Sequence, residues 1–258
     1  MQVSTSPMSL AAQRDGSSWP CAIAPIYSGE DGLSGGTRRM TYAKDPDSVP
    51  PLGHQADDQA GDALRRIARH ATEPSKELLR ERLVSRLPEL AALDSVPQDA
   101  RWHPEGDVLT HSLLAADAAA ARWDAAPGPI DRREIVVLAA LFHDVGKPAT
   151  TRSDGDSVTS HGHAELGGEI VLRMGGRLGW PDRETTAIAA LVRHHMAHVS
   201  VQGDPTRRAV GRLSRRLADA GTSLAEWSLV VAADGAARGS ASTGSRAEPW
   251  LRIASSME

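Results

Sequence analysis

The chain has 258 residues and a formal net charge of −4, from 29 basic and 33 acidic side chains. Hydrophobic residues make up 40% but aromatic ones only 3%, so any core must be aliphatic, and the length suits one domain with extensions or two small ones. The acidic balance argues against wrapping long nucleic acid, which needs a basic footprint, whereas a small phosphorylated substrate or an RNA end needs only a local cluster.

Residues 1–58 are rich in Ser, Gly, Pro and Asp with no sustained period, which predicts a disordered tail. The segment lacks a charged stretch followed by an apolar one, so it does not read as a secretory signal. Within it PCAIAPIY could dock on a surface but is too short for a core. It also holds the single cysteine, Cys21, which excludes an intramolecular disulfide and a thiolate zinc site and suits a reducing cytoplasm.

Residues 59–98 form a helical lead-in, with Leu78, Leu79, Leu83, Leu87 and Leu90 at three- and four-residue steps and a break expected at Pro88. Asp107 is the expected N-cap of VLTHSLLAADAAAARW, and Asp131 that of REIVVLAALFHDVG, which Gly146 and Pro148 stop. The run IVVLAALF, Ile135 to Phe142, is the longest apolar one and far too short to span a membrane. TRSDGDSVTS reads as a loop. Helices are expected over 163–178, 182–199, 205–220 and 223–238, then a tail over 246–258. Nothing alternates at period two, and the prediction is an all-α bundle.

Seven of the ten histidines fall between His111 and His198. His143 and Asp144 end an apolar helix and precede Gly146 and Lys147. Imidazole supplies a neutral nitrogen donor and a carboxylate can bridge two cations, while Lys147 could meet an anionic substrate group. Gly146 would let the chain turn sharply. His111 lies one turn into the preceding helix. His163 opens a helix with Gly167 four residues on, where something can approach closely. His194 and His195 end TTAIAALVRHH, with His194 the stronger ligand candidate and His198 peripheral. Each has an ordinary alternative, such as a buried hydrogen-bonded ring or a favourable partner for a helix C-terminus. Asp234 follows the apolar WSLVVAA, where a carboxylate needs a partner such as a metal.

In order, His111, His143-Asp144 with Gly146 and Lys147, His163 with Gly167, His194-His195 and Asp234 resemble the motifs of the HD superfamily. LPELAALDSVPQDARWHPEGDVLTHSLLAAD is similar, more narrowly, to the HD domain joined to bacterial tRNA nucleotidyltransferases of the CCA-adding and poly(A) polymerase group, and places the domain over 99–245. The resemblance implies an all-helical fold, divalent metals, and hydrolysis of phosphomonoesters or 2′,3′-cyclic phosphodiesters of nucleotides or RNA ends. The nucleotidyltransferase head, with its Gly-rich turn and paired aspartates, has no counterpart in the sequence.

On that reading His111, His143, Asp144 and Asp234 hold a first ion. Asp144 bridges to a second at His163, His194 and His195, and Lys147 stabilises charge in the transition state. The metal could be Mn, Fe, Ni, Co or Mg. Arg212 and Arg215, in DPTRRAVGRLSRRL, are candidate contacts for an RNA phosphate, against the simpler reading of a solvated basic face. Glu105 or Asp107 could support the ligands. A general nucleotidase or alarmone hydrolase, and a non-catalytic binding module, are the alternatives.

Overall fold

The computed structural model describes residues 54–257 apart from Pro127, Asp156 and residues 240–244. The segment expected to be disordered, with PCAIAPIY and Cys21, lies outside the described residues up to position 53. In chain order come α1 (His54–His70), α2 (Pro74–Arg80), α3 (Leu83–Arg86), α4 (Pro88–Ala91), α5 (Val108–Ala125), α6 (Ile130–Phe142) and the single turn α7 (Lys147–Thr150). Two short strands follow, β1 (Arg152–Asp154) and β2 (Ser157–Thr159), then α8 (His163–Arg177), α9 (Asp182–His194), a 3₁₀ turn over His195–His198, α10 (Arg207–Asp219), α11 (Leu224–Ala237) and α12 (Glu248–Ser255). The fold is all-α.

The apolar run of α6 explains the architecture. Every residue from Ile135 to Phe142 is buried, and a helix hydrophobic all round must be central. It packs against α1, α5, α9 and α11, while α8 packs on α9 and α11 on α5. Alanines carry much of these contacts, including Ala115, Ala116, Ala119 and Ala120 of α5 and Ala187, Ala189 and Ala190 of α9. Such small side chains let helices approach closely, which is how a core with few rings reaches native density.

Caps set several boundaries. Asp107 accepts from the Thr110 amide at 2.9 Å to start α5, and its second oxygen accepts from the Ser95 amide at 2.8 Å. Thr206 and Ser223 cap α10 and α11 through the amides of Ala209 and Glu226. The α2 N-terminus is capped from outside: Asp117 of α5 accepts from the Ser75 amide at 2.8 Å and from its hydroxyl at 2.5 Å.

Several expectations need correction. Asp131 does not cap α6: Pro129 does, at φ −58° and ψ 138°, because proline presets the entry angle. Asp131 stands in the first turn, where its charge complements the helix dipole. Helical structure begins at His54, not residue 59, and Asp57 is buried with Arg177 paired to it. The 151–160 segment forms an antiparallel hairpin, Arg152 opposite Thr159 and Asp154 opposite Ser157, turned at Gly155 with φ +56°. Helix α9 stops at His194, and the expected continuation to 199 tightens into the 3₁₀ turn. The expected C-terminal tail contains α12, whose buried Trp250 packs on Trp227 with ring centroids 5.4 Å apart. At eight residues, α12 is too short for its period to stand out in the sequence.

Two ion networks fasten α1 to α6. Glu134, 1% exposed, accepts from Arg65 at 2.6 Å and also pairs with Arg69. The neighbouring Arg133 donates to the carbonyls of Ala68 and Ala71 at the end of α1, and to Asp124. Its guanidinium therefore serves carbonyls that the helix itself leaves without partners.

Candidate metal centre

The end of α6, the starts of α5 and α8, the end of α9 and the last turn of α11 converge on one point. Gly146 makes that convergence possible. Its φ is −81°, so it does not supply the sharp turn expected of it. A Cβ there would lie 2.2 Å from the His163 carbonyl oxygen and 2.9 Å from the Gly167 nitrogen, so only glycine lets α8 sit against the His143–Asp144 corner. A Cβ on Gly167 would in turn meet Val192 of α9 at 3.0 Å.

His143, His163 and His195 share a local device. Each places Nδ1 2.7 Å from the carbonyl oxygen three residues earlier: Ala140, Ser160 and Val192 respectively. A carbonyl can only accept, so Nδ1 carries the proton and the Nε2 lone pair faces inward. His111 gains the same orientation from Glu105, which accepts from its Nδ1 at 2.6 Å and from Nδ1 of His103 at 2.8 Å. Such outer partners are what orients metal-binding histidines.

The donor atoms form two groups joined by Asp144. His111 Nε2 lies 3.1 Å from His143 Nε2 and 3.1 Å from Asp234 Oδ1. Asp144 Oδ2 stands 3.2 Å from His143 Nε2 and 3.8 Å from His111 Nε2. The other oxygen, Oδ1, faces His163 Nε2 at 3.3 Å and His195 Nε2 at 3.9 Å, and those two nitrogens are 3.2 Å apart. Donors bound at about 2.1 Å to one ion stand about 3.0 Å apart at right angles and about 3.4 Å apart at tetrahedral angles, so both groups fit a divalent cation.

Electrostatics lead to the same reading. Burial, reinforced by His143, pushes His195 down to about 3, and burial also lowers His163. Both rings are thus neutral with Nδ1–H committed, and two lone pairs face each other across 3.2 Å with no proton between them. A shared cation resolves that contact. Burial alone would lower His111, but its hydrogen bonds to Asp234 and Glu105 and the Asp144 charge lift it to about 9. Burial opposes ionisation of Asp144, yet the neighbouring His143 and Lys147 hold its carboxyl well below the ordinary range. Asp234 is lowered in the same way, burial being outweighed by His111, His143 and Arg238. Glu105 falls to about 2 because hydrogen bonds from His111, its own amide and His103 outweigh burial.

Lys147 is anchored at the rim: Nζ pairs with Asp144 Oδ2 at 2.7 Å and donates to Gln98 at 2.7 Å. The remaining candidates lie elsewhere. His194 points away from the cluster into a groove with Leu172, Arg193 and Arg216, because successive side chains at a helix end diverge by about 100° and His195 takes the inward direction. Arg212 and Arg215 are exposed on α10 and take no part in the centre's hydrogen bonds or ion pairs. His161 is exposed, and His198 donates to the His195 carbonyl at 3.0 Å.

Two participants escaped the sequence reading. Arg238 donates to both oxygens of Asp234, at 2.6 and 2.8 Å, and its i,i+4 spacing on α11 was a usable signal. His103 shares Glu105 with His111, and only the loop's conformation reveals it.

Comparison with known proteins points to one domain family. Residues 108–226 match the family model of the HD domain. Just under half of the chain is therefore similar to the HD domain. A multifunctional CCA protein of Halorhodospira halophila is 39% identical over 54% of this chain and 33% of its own. A CC-adding tRNA nucleotidyltransferase of Thermus thermophilus is 37% identical, over 47% of this chain and 27% of its own. A multifunctional CCA protein of Vibrio cholerae is 33% identical over similar shares. The chain thus spans about a third or less of the length of these curated relatives. Among the described residues no helix is long and apolar enough to cross a membrane.

Proposed function

We propose that this chain hydrolyses phosphomonoesters or 2′,3′-cyclic phosphodiesters of nucleotides or RNA ends, using one or two divalent ions. The observation that carries the reading is the Asp144 carboxylate, whose two oxygens face two separate sets of inward-aimed imidazole nitrogens. His111, His143, Asp234 and one Asp144 oxygen would hold one ion, and His163, His195 and the other oxygen a second. Mn, Fe, Ni and Co suit such an imidazole–carboxylate donor set better than Mg, which prefers oxygen. Bound there, the ions would supply Lewis acidity toward phosphoryl oxygens and activation of water.

The protein's own groups do the positioning. The carbonyls of Ala140, Ser160 and Val192, together with Glu105, hold the four imidazoles in one tautomer, so no side chain must reorganise when an anionic phosphoryl group arrives. Lys147 keeps an ammonium beside Asp144, where it can pair with a phosphoryl oxygen. Support for an RNA end comes from the relatives, one named a multifunctional CCA protein and another a CC-adding tRNA nucleotidyltransferase.

The test is phosphate release after chelation and add-back of Mn, Ni, Co or Mg. The substrates are 2′,3′-cyclic AMP, 2′-AMP, 3′-AMP, 5′-dAMP and an oligoribonucleotide with a cyclic end. Metal-dependent turnover that disappears in Asp144→Ala is expected, with 2′- or cyclic phosphates preferred. Broad turnover of mononucleotides would instead favour a general nucleotidase, and a protein that binds metal yet turns over nothing would be a binding module.

A further inference from the structure

Helices α8 and α9 run antiparallel, with the start of α8 and the end of α9 both at the metal centre. A groove of about 300 Å³ lies along them, closed on its third side by α10. Its lining runs from His194, next in sequence to the inward-facing His195, back to Thr186, about 12 Å along α9. The floor is apolar, with Ala189, Ala190 and the exposed side of Leu172.

Its donors have no protein acceptors. Arg193 and Arg216 enter no ion pair or hydrogen bond among the described residues, and neither does the ring of His194. Arg193 lies across Gly168 of α8, where even a Cβ would come within 3.1 Å of its Cβ and Nε, so the glycine keeps space for this side chain. Asp219 is the only acidic residue lining the groove, and Glu165 acts on His194 from α8. The contrast with a larger hollow on α1, of about 550 Å³, is instructive. Its Arg65, Arg66 and Arg69 are already paired with Glu134 and Glu81.

We propose that the α8–α9–α10 groove binds backbone phosphates of an RNA strand whose terminus is seated at the metal centre, through Arg193, Arg216 and His194. The inference rests on the phosphohydrolase reading and gives it a substrate class, an oligonucleotide rather than a free nucleotide. Two free guanidiniums beside an imidazole suit phosphate oxygens, Leu172 offers a base an apolar contact, and a 12 Å track is longer than one nucleotide needs. An acidic peptide would match the charge but carries no base to lay on the apolar floor of Ala189, Ala190 and Leu172.

The test has two arms. In chelator, without turnover, the full chain is titrated into a 5′-fluorescein-labelled hexaribonucleotide with a 2′,3′-cyclic end, and anisotropy is read at several salt concentrations. The double variant Arg193→Ala/Arg216→Ala should bind at least tenfold more weakly. Its salt slope should fall by about 1.4, as expected for two lost single-strand phosphate contacts. Arg216→Glu, at an exposed position that should not disturb folding, should weaken binding similarly. Affinities within twofold of the wild type, or equal wild-type affinity for a polyglutamate peptide of matched charge, would overturn the proposal. With metal restored, the kcat/KM ratio of the oligonucleotide to 2′,3′-cyclic AMP should fall about tenfold in Arg216→Glu; a loss shared equally by both substrates would also sink it. A wild type that hydrolyses neither substrate overturns the phosphohydrolase reading, while the binding arm still judges the groove.

Discussion

Glu105 stands six residues before His111, off the helix that carries it, and its Oε1 accepts from His111 Nδ1 at 2.6 Å and from His103 Nδ1 at 2.8 Å. One loop carboxylate therefore fixes the ring of a buried candidate ligand. In Glu105→Gln the amide oxygen can still accept, but the charge that pairs with His111 is gone. Divalent-metal affinity should drop by about 10- to 100-fold with the fold retained, read by calorimetric titration with Mn. Unchanged affinity would mean that Ala140-type backbone contacts alone suffice to order the site.

The neighbours His194 and His195 should separate cleanly. His195→Ala removes an inward Nε2 and should lower the metal content, whereas His194→Ala should keep the wild-type value. Metal analysis after gel filtration decides, and loss of an ion in His194→Ala would reject the geometry described for α9.

Gly146→Ala puts a methyl 2.2 Å from the His163 carbonyl oxygen, a contact only backbone movement can relieve. The substitution should destabilise the protein by about 2 kcal/mol or more, in the range of overpacked cores, and weaken metal binding with it. Thermal unfolding with and without Mn measures both.

Arg133→Met leaves the Ala68 and Ala71 carbonyls and Asp124 without their shared donor. A loss of about 2–4 kcal/mol is expected for breaking a buried, hydrogen-bonded charge, or roughly 5–15 °C in Tm for a domain of this size. Arg66→Ala removes only an exposed pair with Glu81 and should cost under about 1 kcal/mol. Equal losses in denaturant melts would argue that the α1–α6 tie is not what holds α1.

Asp117 supplies the pH-dependent case. Burial, partly offset by the Ser75 hydrogen bonds, raises its folded pKa above 3.8. The folded state then holds that proton more tightly than the unfolded one, so this group's contribution is most favourable below pH 3.8 and is lost as pH rises through the folded value. Asp117→Asn should therefore be neutral or stabilising at pH 7, and that relative advantage should vanish by pH 3.5. A variant markedly less stable than wild type at pH 7 would show that the charged cap of α2 outweighs its burial.

Much of this was legible in the chain itself. Helical spacing, the cap at Asp107 and the unbroken run Ile135–Phe142 are local properties, governed by backbone hydrogen bonding and side-chain period. Residue chemistry likewise singled out His111, His143, Asp144, His163 and Asp234, because buried carboxylates and imidazoles next to apolar runs need partners. Tertiary structure alone decided which of His194 and His195 turns inward, since that depends on where α9 tightens into a 3₁₀ turn. It also decided that Asp144 offers one oxygen to each histidine set, and that Arg193 and Arg216 face a groove while Arg212 and Arg215 face solvent. These are relations between residues up to 123 positions apart, such as His111 and Asp234. Distances of that kind are set by how helices pack, and no local pattern encodes them.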